Sequence, residues 1–311
     1  MLDDKAQNIL LLRYAYEDVR LYKIDSLLIA DILRPDRTVR LSRFGGTLNR
    51  DTRDNPQEAT KGEYLAVNYD LSLRPLGANI SFSKFQLDYR RYYRVKALRN
   101  TILAANLTLG LASVLNPLDR DGNGLDERDR QLPISERFFG GGSTTLRGFG
   151  FEEAGPRRIA PTCFLSTDPV VLQTCGQFRD RRGQIVRLNP FTVPVGGNGL
   201  AVVNLEARVP LRPQLQVVPF YDGGNVYRNA GDIFGRKATT TTTDPNFQMR
   251  WTHTVGLGLR IKTPIGSSVA IDYGFMLNPP QFLIPQLPRG TPDAIFRLQR
   301  TQLHFRFTQT F

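Results

Sequence analysis

Large apolar residues alternate with polar or small ones along much of the chain, a period of two that marks strands with one apolar and one polar face. In 64–74, Leu65, Val67, Tyr69, Leu71 and Leu73 share one face, and Tyr64, Ala66, Asn68, Asp70, Ser72 and Arg74 share the other. Segment 102–111 sets Leu103, Ala105, Leu107, Leu109 and Leu111 against Ile102, Ala104, Asn106, Thr108 and Gly110. Segments 254–261 and 268–275 repeat the pattern, with Arg260 and Asp272 on the polar side. The closing stretch places Leu303, Phe305, Phe307 and Phe311 on one face and His304, Arg306, Thr308 and Thr310 on the other, Gln309 interrupting the apolar row. A chain end gains nothing from a large apolar residue unless it is anchored, so the closing Phe311 points to a held terminus. Weaker alternation over 10–21, 38–49, 84–94, 200–209 and 215–227 brings the expectation to about ten strands.

The connections decide which kind of sheet this is. Thr263-Pro264-Ile265-Gly266 reads as a tight turn joining 254–261 to 268–275 in an antiparallel hairpin. The linkers 114–199, 228–250 and 277–296 are long and fall at the opposite end, the asymmetry of an outer-membrane barrel with short periplasmic turns and long outer loops. The fold expected is therefore all-β, an antiparallel transmembrane β-barrel with lipid outside and a polar lumen inside. An aqueous β-sandwich is the alternative. Its interior would have to hold Asp70, Asp88, Arg90, Glu206, Arg260 and Asp272, too many charges for a dry core.

Composition permits the barrel. Hydrophobic residues are 41% of 311, mean hydropathy is −0.30, and no apolar run reaches the eighteen or so residues of a membrane helix. Barrel strands need only about ten residues each, half of them polar. The balance of 41 Lys and Arg against 29 Asp and Glu gives +12. These cations are dispersed through strands and loops without a recognition-helix or zinc-finger pattern, which argues for anionic headgroups or lipopolysaccharide and against nucleic acid. Cys163 and Cys175, the two cysteines, share one loop segment; a local disulfide is favoured over a metal site, two unpaired thiols being the other reading. His253 and His304, the two histidines, sit in no triad or metal-ligand pattern, so no enzyme, metal or cofactor is expected. The first residues, Met1-Leu2-Asp3-Asp4-Lys5, do not read as a secretory signal, so a leader was removed or the chain is a fragment.

The long central linker contains Phe138-Phe139-Gly140-Gly141-Gly142-Ser143-Thr144-Thr145-Leu146-Arg147-Gly148-Phe149. By its residues this is a tightly folded loop tip with one cation, where Gly148 supplies either a positive φ or close backbone approach. It is no phosphate cradle, because no Gly-Lys-Ser/Thr follows and no helix begins there.

With these landmarks in order, the chain resembles, over essentially its whole length, the C-terminal β-barrel of the BamA/TamA superfamily of outer-membrane assembly factors, also called the bacterial surface antigen family. Leu146-Arg147-Gly148-Phe149 matches that family's loop tip, which folds into the lumen. The resemblance implies that Arg147 engages inner-wall acids at the positions of Glu206 and Asp222, and alternation independently turns both carboxylates inward. Thr263–Gly266 with Ile271-Asp272-Tyr273-Gly274 is similar to the penultimate hairpin, the aromatic end (Phe305, Phe307, Phe311) to the terminal strand, and Asn49–Pro56 to a turn before a middle strand.

The implied organisation is one partial barrel domain, 1–311, with the motif carried on the 114–199 loop. A sixteen-strand family barrel would be represented by about ten strands, five on each side of the loop, without the POTRA modules that usually precede it. A ten-strand closed barrel has little room for such a loop, so the part of a larger barrel, or an open sheet with an edge at 10–21, is expected. The implied function is assembly and insertion of unfolded outer-membrane proteins in the bacterial outer membrane, with the bilayer, lipopolysaccharide, POTRA modules and periplasmic accessory proteins as partners. A two-partner-type secretion pore shares the loop motif, and a passive porin shares the architecture.

Overall fold

The computed structural model describes residues 8–23, 37–56, 58–120, 122, 124–160, 191–235, 251–262, 268–284 and 294–308. Ten long strands form one antiparallel sheet: β1 (Asn8–Arg20), β2 (Thr38–Asp51), β3 (Gly62–Ser72), β4 (Phe82–Val95), β5 (Thr101–Val114), β8 (Gly199–Arg212), β9 (Leu215–Tyr227), β10 (Thr252–Lys262), β11 (Ser268–Met276) and β14 (Thr301–Thr308). Each pairs with its neighbours in that order. Two small hairpins, β6 (Arg157–Ala160) with β7 (Phe191–Pro194) and β12 (Gln281–Ile284) with β13 (Ala294–Arg297), lie within the long connections. They are too short for their alternation to stand out in the sequence.

All ten expected strands are present, five before the long loop and five after it. Pairing of β10 with β11 runs from Thr254↔Met276 to Lys262↔Ser268, so the expected hairpin forms, although its turn at 263–267 lies outside the described residues. Phe311, Cys163 and Cys175 also lie outside them. One boundary differs: Arg74 leaves strand β3 and opens a 3-10 turn, Arg74–Leu76, because Pro75 cannot donate to a ladder. Among the described residues β1 pairs with β2 alone and β14 with β11 alone, so the sheet has two edges.

The apolar rows face outward and, among the described residues, no second sheet covers them: Leu257, Tyr273, Leu303, Phe305 and Phe307 are all more than half exposed. This removes the sandwich, whose stability would require that face to be buried. The opposite face is the covered one. At its long-loop end, Leu41, Phe82, Leu200, Val202 and Val226 pack with Leu132, Phe138, Leu146, Phe149 and Ala154 of the loop in one buried cluster. Each such Leu, Val or Phe side chain contributes about 1.5–3 kcal/mol when fully buried, so the loop is an integral part of the fold. Short connections at 96–100 and 213–214 lie at the other end of the strands, with the 52–61 turn, where Asp54 accepts bonds from the amides of Asn55, Thr60 and Lys61.

Candidate functional site

The loop between β5 and β8 folds back over the inner wall. Backbone bridges Phe138↔Gly197 and Gly140↔Ala154 fasten its base, and Ile134–Glu136 forms one 3-10 turn. At the tip, the Phe149 amide donates to the Leu146 carbonyl at 3.1 Å, closing a four-residue turn, and the Gly141 amide donates to the Thr145 hydroxyl at 2.8 Å. Leu146 and Phe149 sink into the buried cluster on either side of this turn. Arg147 and Gly148 between them are thereby pressed against strands β9, β10 and β11.

Arg147 is held on several sides. Its Nε and Nη2 donate to the two oxygens of Asp222 at 2.8 and 2.6 Å, its amide adds a third bond to Asp222 at 3.0 Å, and Nη1 donates to Glu206 at 2.6 Å. The guanidinium carbon lies 3.6 Å from the centre of the Phe220 ring, and Asp272 is 3.8 Å from Nη1. Side-chain exposure is 4% for Arg147, 0% for Asp222, 1% for Asp272 and 13% for Glu206. Only arginine has a planar fork that can take one carboxylate bidentately, reach a second and stack on a ring together. Burial alone would weaken proton binding at Arg147, but the Asp222 bonds and the fields of Asp222, Glu206 and Asp272 more than offset it and hold the proton above its ordinary range.

The pair is part of a larger network. Arg208 donates to Glu206 at 2.9 Å, Arg260 donates to Asp272 at 2.7 Å, and Asn204 bridges Asp222 and the Thr145 carbonyl at 2.8 and 2.6 Å. Three carboxylates thus meet three guanidinium groups, which limits the cost of removing so much charge from water. Gly148 has no positive φ; of its two expected uses the structure takes close approach, with a Cβ there colliding with the Thr254 side chain. Gly274 of β11 gives the matching clearance, because a Cβ there would strike the Arg147 carbonyl.

The structure brings Arg147, Glu206 and Asp222 together and places Phe305 and Phe307 on the outer face. Sequence reasoning did not assign Asp272, Arg208, Arg260, Asn204 and Phe220 to this cluster. The available signal was their shared inward face: Asn204-x-Glu206-x-Arg208, Phe220-x-Asp222 and Arg260 across from Ala270, next to Asp272. His253 Nδ1 is 2.8 Å from the Tyr221 hydroxyl, and His304 Nε2 is 3.1 Å from the Arg147 carbonyl. The second contact, with the Arg306 bond to the Ser143 carbonyl at 3.2 Å, ties β14 to the loop tip. In a His304→Ala, Arg306→Ala double variant, hydrogen exchange measured by mass spectrometry is expected to rise over 301–308 and stay unchanged over β3 and β4. Unchanged exchange in β14 would show that β11 alone positions it.

Comparison with known proteins bears on the family and the fold. The Omp85 superfamily domain matches residues 5–311. The chain belongs to the Omp85 superfamily. Among Omp85-like relatives, it is similar to the outer membrane protein assembly factor BamA of Nitratidesulfovibrio vulgaris, 26% identical over 231 residues, 74% of this chain and 22% of the relative. It is also similar to a SAM50-like protein of Schizosaccharomyces pombe, 30% identical over 112 residues, 36% of this chain and 21% of the relative. The chain thus spans about a fifth of the length of the curated relatives it matches. The crystal structure of BamA from Haemophilus ducreyi lacking POTRA domains 1-3 shares the fold, with a TM-score of 0.61 and 15% identity over 99% of this chain and 52% of that one. This Omp85 chain is an all-β protein of the bacterial outer membrane, its ten-strand antiparallel sheet sharing the fold of a BamA barrel.

Proposed function

We propose that the chain acts as the barrel part of a BamA/TamA-like factor that assembles and inserts β-barrel proteins in the outer membrane. The observation that carries this reading is the loop clamped to the inner wall through Arg147, Asp222 and Glu206, with its tip tied to the terminal strand β14 by His304 and Arg306. In this reading an incoming strand would add to the barrel through backbone amides and carbonyls, and the clamped loop would brace the wall from inside. The names of the BamA relatives support the same reading. Its substrates would be unfolded outer-membrane proteins, with the bilayer, lipopolysaccharide, POTRA modules and periplasmic accessory proteins as further partners. No covalent chemistry is assigned to it.

Reconstituted in lipid vesicles as the barrel part of a longer BamA-like parent, the chain is expected to accelerate insertion of a urea-unfolded outer-membrane protein several-fold over empty vesicles, read by heat-modifiable migration, an activity not expected of these ten strands alone. A steady conductance with no acceleration would favour the porin, and passage of an unfolded exported protein without insertion would favour the two-partner-type pore.

A further inference from the structure

The outer wall carries a groove of about 690 Å³ at the β4–β5–β8–β9 junction. Its shape follows from register. Across the sheet, outward residues run Arg91, Ala105, Leu205, Tyr221 in one row and Tyr93, Leu103, Ala207 in the next, with Pro219 beyond. Ala105 and Ala207 leave a depression between larger side chains. Pro219, which has no amide to give a ladder, borders the depression, and the β8–β9 register stays constant from Glu206↔Phe220 to Val209↔Val217.

Arg91 at the rim is the unexplained element. It is exposed on the lipid-facing side. A guanidinium there is costly near the membrane centre and tolerable where it reaches headgroups, and its outward neighbours Tyr89 and Tyr93 are residues that favour that level. Its cross-strand partner is Glu63, whose carboxylate accepts from Tyr89 at 3.0 Å and lies 3.9 Å from Arg50. Among the described residues no carboxylate lies within ion-pair distance of Arg91. Its end of β4 leads to the 96–100 turn, on the short-turn and therefore periplasmic side, away from the leaflet that holds lipopolysaccharide.

We propose that this groove is a selective site for one anionic glycerophospholipid of the periplasmic leaflet, an acyl chain lying over Ala105 and Ala207 and the phosphate meeting Arg91. A zwitterionic lipid brings its own ammonium to that phosphate, so an unpaired cation selects a net negative headgroup. The site rests on the outer-membrane orientation of the chain and is independent of whether it assembles proteins.

The test is native mass spectrometry of the full chain, folded in detergent and given equal amounts of phosphatidylglycerol, phosphatidylethanolamine and phosphatidylcholine with matched chains. Heat-modifiable migration verifies folding. Wild type is expected to retain one phosphatidylglycerol with at least a fivefold preference over phosphatidylcholine. Arg91→Gln should abolish the preference, Arg50→Gln should keep it, and Ala105→Leu with Ala207→Leu should reduce retention of all three lipids. No preference in wild type, an unaltered preference in Arg91→Gln, or undiminished retention in the groove-filled protein would each overturn the site. If the groove-filled variant does not fold, the Arg91→Gln and Arg50→Gln comparison still decides. Loss of insertion activity in the vesicle assay leaves this measurement unaffected.

Discussion

Arg147→Ala is expected to lower the stability of the folded chain by about 3–5 kcal/mol, the range for breaking a buried charge pair from one side. Asp222 and Asp272 are almost fully buried, and Asp222 would lose both of its guanidinium bonds and the stacking that fixes the guanidinium on Phe220. Arg208 and Arg260 remain for Glu206 and Asp272, but Asp222 is left with Asn204 and the residue 147 amide. Denaturant unfolding in detergent, followed by tryptophan fluorescence from Trp251, measures the loss. Limited proteolysis should show new cleavage in 128–157. Arg147→Lys should restore little, because an ammonium can neither take Asp222 bidentately nor stack on the ring. Wild-type stability in either variant would contradict the clamp.

The second large effect is steric. Gly274→Ala places a methyl against the Arg147 backbone, which cannot turn aside, and Gly148→Ala places one against the Thr254 side chain. Overpacking of this kind costs about 1–3 kcal/mol when the surroundings shift and more when they cannot. Both variants are expected to raise protease sensitivity of the loop. They should differ in rescue: Thr254→Gly should restore the Gly148→Ala protein and leave Gly274→Ala impaired, since the latter obstacle is backbone. Equal rescue of both, or rescue of neither, measured by unfolding midpoint, would show that the docking contact is not where the structure places it.

The strand set was legible because each strand has one face in lipid and one in a polar interior, so that Leu257 or Phe305 contrasts with Arg260 or Arg306 at every step. Strand ends were less sharp: β4 and β5 extend beyond 84–94 and 102–111, because Val95 and Thr101 pair across a turn that alternation does not register. Arg147, Glu206 and Asp222 could be singled out by face and resemblance together. Asp272 shares that inward face, but its place beside Arg147 depends on how far the loop reaches across β9 and β10, a tertiary distance that no local pattern contains. The hairpins β6–β7 and β12–β13, four residues per strand, were invisible for the simpler reason that so few positions cannot establish a period.

The contacts of His304 and Arg306 with the loop tip make that tip a ruler for the last strand. Sliding β14 by one residue along β11 would turn both side chains out to lipid and bring Leu303, Phe305 and Phe307 inward. A slide of two residues keeps the faces correct, and hydrophobicity alone does not oppose it. It does move His304 off the Arg147 carbonyl and Arg306 off the Ser143 carbonyl, by about 6–7 Å at the usual strand rise. While the loop is undocked, the terminal strand therefore knows which side is inside without knowing how far along to stop, and docking of the tip supplies that missing coordinate.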